Sequence, residues 1–426
     1  MIDIHILRTE PDRVRKAIRD KHIDATGVVD RILALDASRR DTLTRLQDLQ
    51  TRANEIARDI GLLMREGRRD EAELKKAEST DMKGVVKSLE DEARAVEQQL
   101  DDLLLEIPNI PHESVPLGAS PEDNVVAHIW GDEPAFDFEP LPHWDLAARH
   151  GLLDFERGAK VTGAGFPFYI GKGARLQRAL IQFFLDLAVD EGGYTEMQPP
   201  VFVNADSARG TGQLPDKEDQ MYEMTRDALY AVPTAEVPVT NYHRDEILAE
   251  DDLPIKYCAY TPCFRREAGS YGKDVRGLNR LHQFDKVELV QIVPDDASYA
   301  ALESLREDAE RPLQRLGLRY RRLLMCTADM GFTQSKKYDL EVWSAGQQRW
   351  LEVSSASNFE AFQARRLSLR YRKAGGKKPV FVHTLNGSGL ALPRIVAALL
   401  ENGQQADGSI LIPEALRRYT GFDRIG

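Results

Sequence analysis

Between Val28 and about Leu105 the chain nearly loses glycine and proline, and charged residues alternate with a narrow apolar stripe. Leu46, Leu49, Ala53, Ile56, Ile60 and Leu63 are spaced 3, 4, 3, 4 and 3 apart, and Val86, Leu89, Ala93, Val96, Leu100 and Leu103 repeat that spacing. Each run is a two-position heptad seam, the pattern by which one helix packs on another as a coiled coil. The intervening "REGRRDEAELKKAESTDMKG", polar and carrying glycine at or near both ends, predicts the tip where the chain reverses. Two helices of about 35 residues, each rising 1.5 Å per residue, make an antiparallel hairpin roughly 50 Å long. The seam is too narrow to be covered on several sides, so a free-standing arm is favoured over a bundle.

Pro108, Pro111, Pro116 and Pro121 forbid helix and mark a boundary near residue 110. This divides the chain into an N-terminal domain, 1–110, containing the arm at about 28–105, and a second domain, 111–426. Beyond the boundary the periodicity is mixed. "RLQRALIQFFLDLAVDEGGY" predicts an amphipathic helix ending at Gly192-Gly193, and "YTEMQPPVFV" a strand interrupted by Pro199-Pro200. Strands are predicted at "ALYAVP", "IKYCAYTPCF", "FDKVELVQIV", "YDLEVWS" and "RWLEVSS", and helices at "DDASYAALESLREDAERPLQRLG" and "PRIVAALLENGQQ". Short strands with segregated helices indicate an α+β domain on an antiparallel sheet.

Composition narrows the function classes. The 426 residues carry a formal net charge of −12, which argues against nonspecific coating of nucleic acid but leaves room for a local basic cleft. The first residues lack the apolar core of a secretory signal, and no stretch approaches the length of a membrane span, so a cytoplasmic protein without membrane association is expected. Cys258, Cys263 and Cys326 are too few and too scattered for a disulfide framework and do not supply zinc-site spacing, so buried free thiols and no zinc are expected. Neither a P-loop nor a dinucleotide-binding glycine fingerprint occurs.

Candidate chemistry gathers at "AYTPCFRREAGSYGKDVRGLNRLHQFDKVELV". Two predicted strands enclose a loop with Gly269, Gly272 and Gly277 and the cations Lys273, Arg276 and Arg280, a long hairpin with a basic tip. Alternation would put Arg265 and Glu267 on one face of the incoming strand, and Phe284, Lys286 and Glu288 on one face of the outgoing strand. An arginine facing a pocket can clamp phosphate with its fork, and an aromatic on the opposing strand can stack a base.

This stretch resembles the second signature motif of the class II aminoacyl-tRNA synthetases, and specifically of the seryl-tRNA synthetase family. "GYTEMQPPVFV" resembles the first motif and "LNGSGLALPRIVAALLENGQQADGSI" the third. "VPTAEVPVTN", "LEVSSASNFEAFQARR" and "IPNIPHESVP" are similar to further family segments, and the likeness runs through the whole chain in order. It implies a six- or seven-stranded antiparallel catalytic sheet flanked by helices, a homodimer, and ATP with Mg²⁺ and L-serine as substrates. By the resemblance, Arg265, Glu352 and Arg394 are the catalytic residues. ATP would meet Arg265, Arg266, Glu267, Leu281, His282, Gln283, Phe284, Glu352, Val353, Ser354, Ser355 and Arg394, with Glu352 and Ser355 also holding the metal. Serine would meet Thr234, Ala235, Glu236, Glu288 and Ser388. The tRNA for serine, and that for selenocysteine where one exists, would meet Arg58, Arg65, Arg68, Arg69, Lys75 and Lys76 on the arm and Lys273, Arg276 and Arg280 at the loop.

Physical chemistry raises one objection: strict alternation places Glu352 and Ser355 on opposite faces, so a bulge or a strand end is required between them. His282 and His383 read as structural hydrogen-bonders. The reading that results is an enzyme that activates serine with ATP and transfers it to tRNA. Two rivals share its core, an amino acid:carrier-protein ligase and a catalytically inactive RNA-binding paralogue. The arm argues against the first, and the presence of Arg265, Glu352 and Arg394 against the second.

Overall fold

The computed structural model describes residues 1–25, 27–268 and 276–426, which form two compact units. The first comprises Ile2–Arg19 and Ile23–Pro108; the second comprises Asn109–Gly426 with Met1 and Asp20–His22.

In the first unit, α1 (Ile4–Thr9) and α2 (Pro11–Asp20) precede the long helices α3 (Val28–Arg65) and α4 (Arg69–Leu105). These are 38 and 37 residues long, hence about 55 Å each. The reversal is tighter than the polar composition of Arg65–Gly84 suggests, because only Glu66–Arg68 lies between the helices. Buried or half-buried positions run through Ala72, Lys75, Ser79, Met82, Val86, Leu89, Ala93, Val96, Leu100 and Leu103 without a break in the 3–4 alternation. The seam therefore continues into the polar segment, with Lys75 and Ser79 at two of its positions, and this keeps the segment helical. On α3 the rhythm slips where Asp36, Arg39 and Thr42 follow one another at intervals of three. Asp36, fully buried, accepts hydrogen bonds from Arg8 (2.7 Å) and Arg40 (3.1 Å), and Thr42 donates to Glu92 on α4 (3.2 Å). Polar seam residues that must find these partners disfavour other registers of the hairpin.

The second unit is built on one sheet. Its strands are β1 (Val125–Trp130), β2 (Thr195–Met197), β3 (Ile255–Phe264), β4 (Gln283–Val293), β5 (Tyr320–Leu324), β6 (Lys336–Ser344), β7 (Arg349–Asn358) and β8 (His383–Ala391). Their spatial order is β1-β5-β6-β7-β8-β4-β3-β2, antiparallel except for the parallel edge pair β2·β3. That is one strand more than the upper expectation. Strands β1, β5 and the central β8 are absent from the sequence prediction, and β8 was the most concealed, because "HTLNGSGLA" looks like a loop. Its glycines are there for close packing: a Cβ on Gly387 would sit 3.2 Å from Leu305, and one on Gly389 would sit 3.1 Å from Val287.

Three helices cover one face of the sheet: α5 (Lys172–Asp190), and, defined after a short helix α6 (Glu236–Thr240), α7 (Ser298–Arg315) and α8 (Leu392–Asn402). Leu176, Leu180, Phe183 and Phe184 of α5 and Ile395, Val396, Leu399 and Leu400 of α8 share one core with Val287, Leu340 and Val353. Leu302 and Leu305 of α7 meet Leu289, Val293 and Leu385. The odd-numbered positions of β4 thus face the helices, leaving Phe284, Lys286, Glu288 and Val290 on the opposite face. Pro393 sits in the first turn of α8, where its missing N–H costs no hydrogen bond. All three cysteines are free and buried.

Candidate active site

The open face of the sheet carries a cleft of about 420 Å³. At its closed end two carboxylates are buried together. Glu288 points up from β4 and accepts from Thr234 Oγ1 (3.0 Å), and Glu236 opens α6, whose Ala235 and Val239 pack on Val290 and Ala259. Asn386 Nδ2, on β8, bridges them, donating to Glu236 Oε2 (3.0 Å) and Glu288 Oε1 (2.8 Å). Gln363 donates to the other Glu236 oxygen (2.8 Å) and is itself held by Thr384 (2.7 Å). Lys286 forms an ion pair with Glu288. Burial, aided by the charge of Glu288, pushes Glu236 up to about 7. Two buried carboxylates, only one of them ion-paired with Lys286, form a site complementary to a further small cation.

The open end is cationic. Arg265 stands over the Phe284 ring (5.0 Å from its centroid) and donates to the Pro233 carbonyl (3.4 Å). Arg394, two residues into α8, donates to the main-chain carbonyls of Glu352 (2.6 Å) and Asn279 (3.1 Å), with the Glu352 carboxylate 3.7 Å away. Partial desolvation in the cleft tends to raise Glu352, whose side chain is half exposed, but Lys337, Arg394, Arg265 and Lys286 outweigh it and hold its carboxylate below the usual range. Behind it Lys337 is paired with Asp339 (2.9 Å), whose carboxyl is pushed up to about 7, chiefly by burial.

Two irregularities aim these groups. On β7, Leu340 pairs with Ser354 and Glu341 with Glu352, so Val353 is an extra residue. This bulge lets both Glu352 and Ser355 line the cleft, which regular alternation forbids. On β8, Glu288 pairs with Ser388 but Lys286 with Ala391, a second slip that coincides with a left-handed backbone at Leu390 (φ 127°).

Residues 1–111 match the family model of the seryl-tRNA synthetase N-terminal domain, and 221–403 that of the tRNA synthetase class II core domain (G, H, P, S and T). A serine--tRNA ligase of Salinibacter ruber is 64% identical over 426 residues, covering 100% of this chain and 99% of the relative. The chain belongs to the seryl-tRNA synthetase family. A serine--tRNA ligase of Geobacillus kaustophilus is 52% identical over 421 residues, covering 99% of each chain. Among solved structures, the Pyrococcus horikoshii seryl-tRNA synthetase complexed with ATP has 36% identity and a TM-score of 0.94, covering 100% of this chain and 99% of that one. The Naegleria fowleri cytoplasmic serine-tRNA ligase in complex with AMP follows at 27% and 0.87, covering 100% and 98%.

Within this chain, Thr234, Glu236, Arg265, Glu267, Arg280, Leu281, Phe284, Glu352, Val353, Ser354, Ser355, Ser388 and Arg394 line one cleft, and Glu288 supports its floor through Thr234 and Asn386. Several expected residues do not reach the lining with their side chains. Ala235 is enclosed in the core, Arg266 is exposed with its guanidinium on the Asp219 carbonyl (3.3 Å), and Gln283 is exposed. His282 bonds Tyr222 (2.8 Å) and stacks on Phe166, and His383 bonds Ser298 (2.8 Å), so both hold structure. Strand alternation is not what brings Arg265 and Glu267 together, since β3 ends at Phe264 and Glu267 has a left-handed backbone (φ 50°). Arg280 forms an ion pair with Glu267 inside the cleft, while Arg276 lies over Trp144 (4.6 Å), with Asp145 at 3.9 Å. Lys273 lies outside the described residues. On the arm, Arg68, Lys75 and Lys76 are engaged by acidic neighbours in half-exposed or exposed pairs, and Arg58, Arg65 and Arg69 are exposed.

Sequence reasoning missed Asn386, Gln363, Lys217, Asn279 and Lys337 as site residues, and put Lys286 on the face of Phe284 and Glu288 without giving it a role. Asn386 was within reach: it is two residues before Ser388, hence on the same strand face, once 383–391 is read as a strand. Gln363 had no local signal, since it comes from the helix Phe362–Arg366.

Proposed function

We propose that this synthetase condenses L-serine with ATP to seryl-adenylate and pyrophosphate, then passes the seryl group to the 3′-terminal ribose of the serine tRNA, and to the selenocysteine tRNA where the cell has one. The observation that supports it most is the juxtaposition of a buried two-carboxylate floor with a mouth containing Arg265 and Arg394. The serine ammonium is placed between Glu236 and Glu288, and its hydroxyl beside Ser388 and Thr234. A site that hydrogen-bonds this hydroxyl rejects alanine strongly, because alanine leaves buried polar groups unpaired. The adenine is assigned to Phe284 and Glu267, and the phosphates to the two arginines.

The serine carboxylate attacks the α-phosphorus and pyrophosphate leaves; a ribose hydroxyl then attacks the seryl carbonyl and AMP leaves. Among the described residues, the cleft lining includes no histidine or cysteine, and the work assigned to it is positioning and charge stabilisation. Magnesium fits Glu352 and Ser355: one carboxylate and one hydroxyl, brought to the same cleft by the Val353 bulge, are hard oxygen donors. Among the described residues no three His, Cys, Asp or Glu side chains gather as a ligand set, so substrate oxygens would complete its shell. When bound, it would offset phosphate charge. The α3–α4 arm is assigned to the tRNA, and the active form to a homodimer.

Likeness over residues 1–111 weighs against a carrier-protein ligase, and convergence of Arg265, Glu352 and Arg394 on one cleft weighs against an inactive paralogue. Serine-dependent ATP–pyrophosphate exchange tests the reading. Arg265→Ala should lower it about a hundredfold or more, and an absence of exchange in the folded wild-type protein would refute it.

A further inference from the structure

Behind the cleft, on the far side of residues 277–280, lies a fully buried histidine–glutamate pair that the chemistry above does not use. His143 opens the helix His143–His150, and Glu401 lies near the end of α8; neither side chain is exposed. His143 Nε2 lies 2.8 Å from the Leu278 main-chain nitrogen. Since that N–H can only donate, Nε2 carries the lone pair, so Nδ1 carries the proton and donates to Glu401 Oε1 (2.7 Å). Apart from this ring, Glu401 has no lysine or arginine among its hydrogen-bond partners. It is satisfied by the His143 main-chain N–H (2.9 Å), Gln347 Nε2 (3.0 Å), the Gly346 N–H (3.0 Å) and the Ser344 hydroxyl. Burial would raise this carboxylate, yet its bonds to His143 and Ser344 hold it below the usual range.

The pair reaches the cleft through two neighbouring residues. Leu278 is fixed by the ring, and a Cβ on Gly277 (φ +66°) would lie 2.2 Å from His143 Nε2, so only glycine allows this approach. Asn279, next in sequence, is held by Gln347 (2.9 Å), and its carbonyl accepts from Arg394 Nε (3.1 Å). We propose that His143 and Glu401 are positioning residues for adenylate formation, fixing Leu278–Asn279 so that the Asn279 carbonyl orients the Arg394 guanidinium toward the nucleotide phosphates. The inference rests on the assignment of ATP to this cleft.

Two isosteric variants separate the two ends of the ring. His143→Asn keeps a donor where Nδ1 meets Glu401 but removes the acceptor for the Leu278 N–H, whereas His143→Gln keeps an acceptor near the Nε2 position. In ATP–pyrophosphate exchange, His143→Asn should raise the KM for ATP about tenfold, the worth of one well-placed hydrogen bond. The KM for serine should stay within about twofold, and His143→Gln should recover most of the loss. In an Arg394→Lys background, which lacks the Nε that meets Asn279, the effect of His143→Asn should shrink below about twofold. An unchanged ATP KM in a folded His143→Asn protein would overturn the proposal. So would equal rises in the KM values for ATP and serine, or an undiminished effect in Arg394→Lys. A wild type without exchange would instead remove the parent reading, and this one with it.

Discussion

Glu236 is where burial has the plainest consequence for chemistry. Raised to about 7 by desolvation and by Glu288, its carboxyl is ionised above that pH and protonated below it. An ammonium binds the ionised form, so the KM for serine should rise as pH falls through 7, by nearly tenfold per unit once well below it. Initial rates of exchange at varied serine between roughly pH 6 and 8 measure this; a flat KM would contradict it. Arg276 and Arg280, equivalent in the sequence, are separated by their partners. Arg280 is bound to Glu267 in the cleft, so Arg280→Glu sets like charges together there and should depress both exchange and aminoacylation. Arg276, over Trp144, should when reversed weaken aminoacylation roughly tenfold, with exchange little changed, if it meets tRNA phosphate. The ratio of the two activities in each variant decides this. Three of the site residues missed in the sequence, Asn386, Gln363 and Asn279, are neutral amides. Their role is to satisfy or orient charged neighbours, and no local pattern announces that.

At the scale of elements, the arm helices were legible because a seam must repeat every 3.5 residues on average to stay on one side of a helix. Where polarity was taken as the signal for a turn, it misled: Ala72–Met82 is helix because its seam positions are still covered by α3. Two glycines remain in the helical interior, Gly61 and Gly84, and a Cβ at either would meet nothing within 4 Å. Gly61→Ala and Gly84→Ala should each stabilise the arm by about 0.5–1 kcal/mol, from a lower unfolded-state entropy. Urea unfolding monitored by helical circular dichroism tests this, and a loss of stability would show that one of these sites needs its glycine. In the sheet, β3, β4, β6 and β7 were legible from β-branched and aromatic runs. Strand β8 was not, because its glycines answer to Leu305 and Val287, residues distant in sequence.

For the molecule as a whole, the proposed assignment of tRNA to the arm and of adenylate formation to the second compact unit makes the two activities separable. Replacing residues 28–105 with a short flexible link should leave serine-dependent exchange within about threefold and abolish aminoacylation. Loss of both together would show that the arm is needed for the catalytic unit itself. The sequence by itself determined the helical hairpin, the α+β class, the order of the motifs and most of the chemical groups in the cleft, since periodicity and residue type are local properties. It also established that Glu352 and Ser355 require a break in alternation, without saying what kind. Only the tertiary structure decided that the break is a one-residue bulge at Val353, that Asn386 joins two carboxylates, and that a histidine 135 residues before Leu278 seats it. These features depend on which strand pairs with which and on which side chain meets a buried acceptor. Such pairings join residues far apart in the chain, where no repeat in the sequence records them.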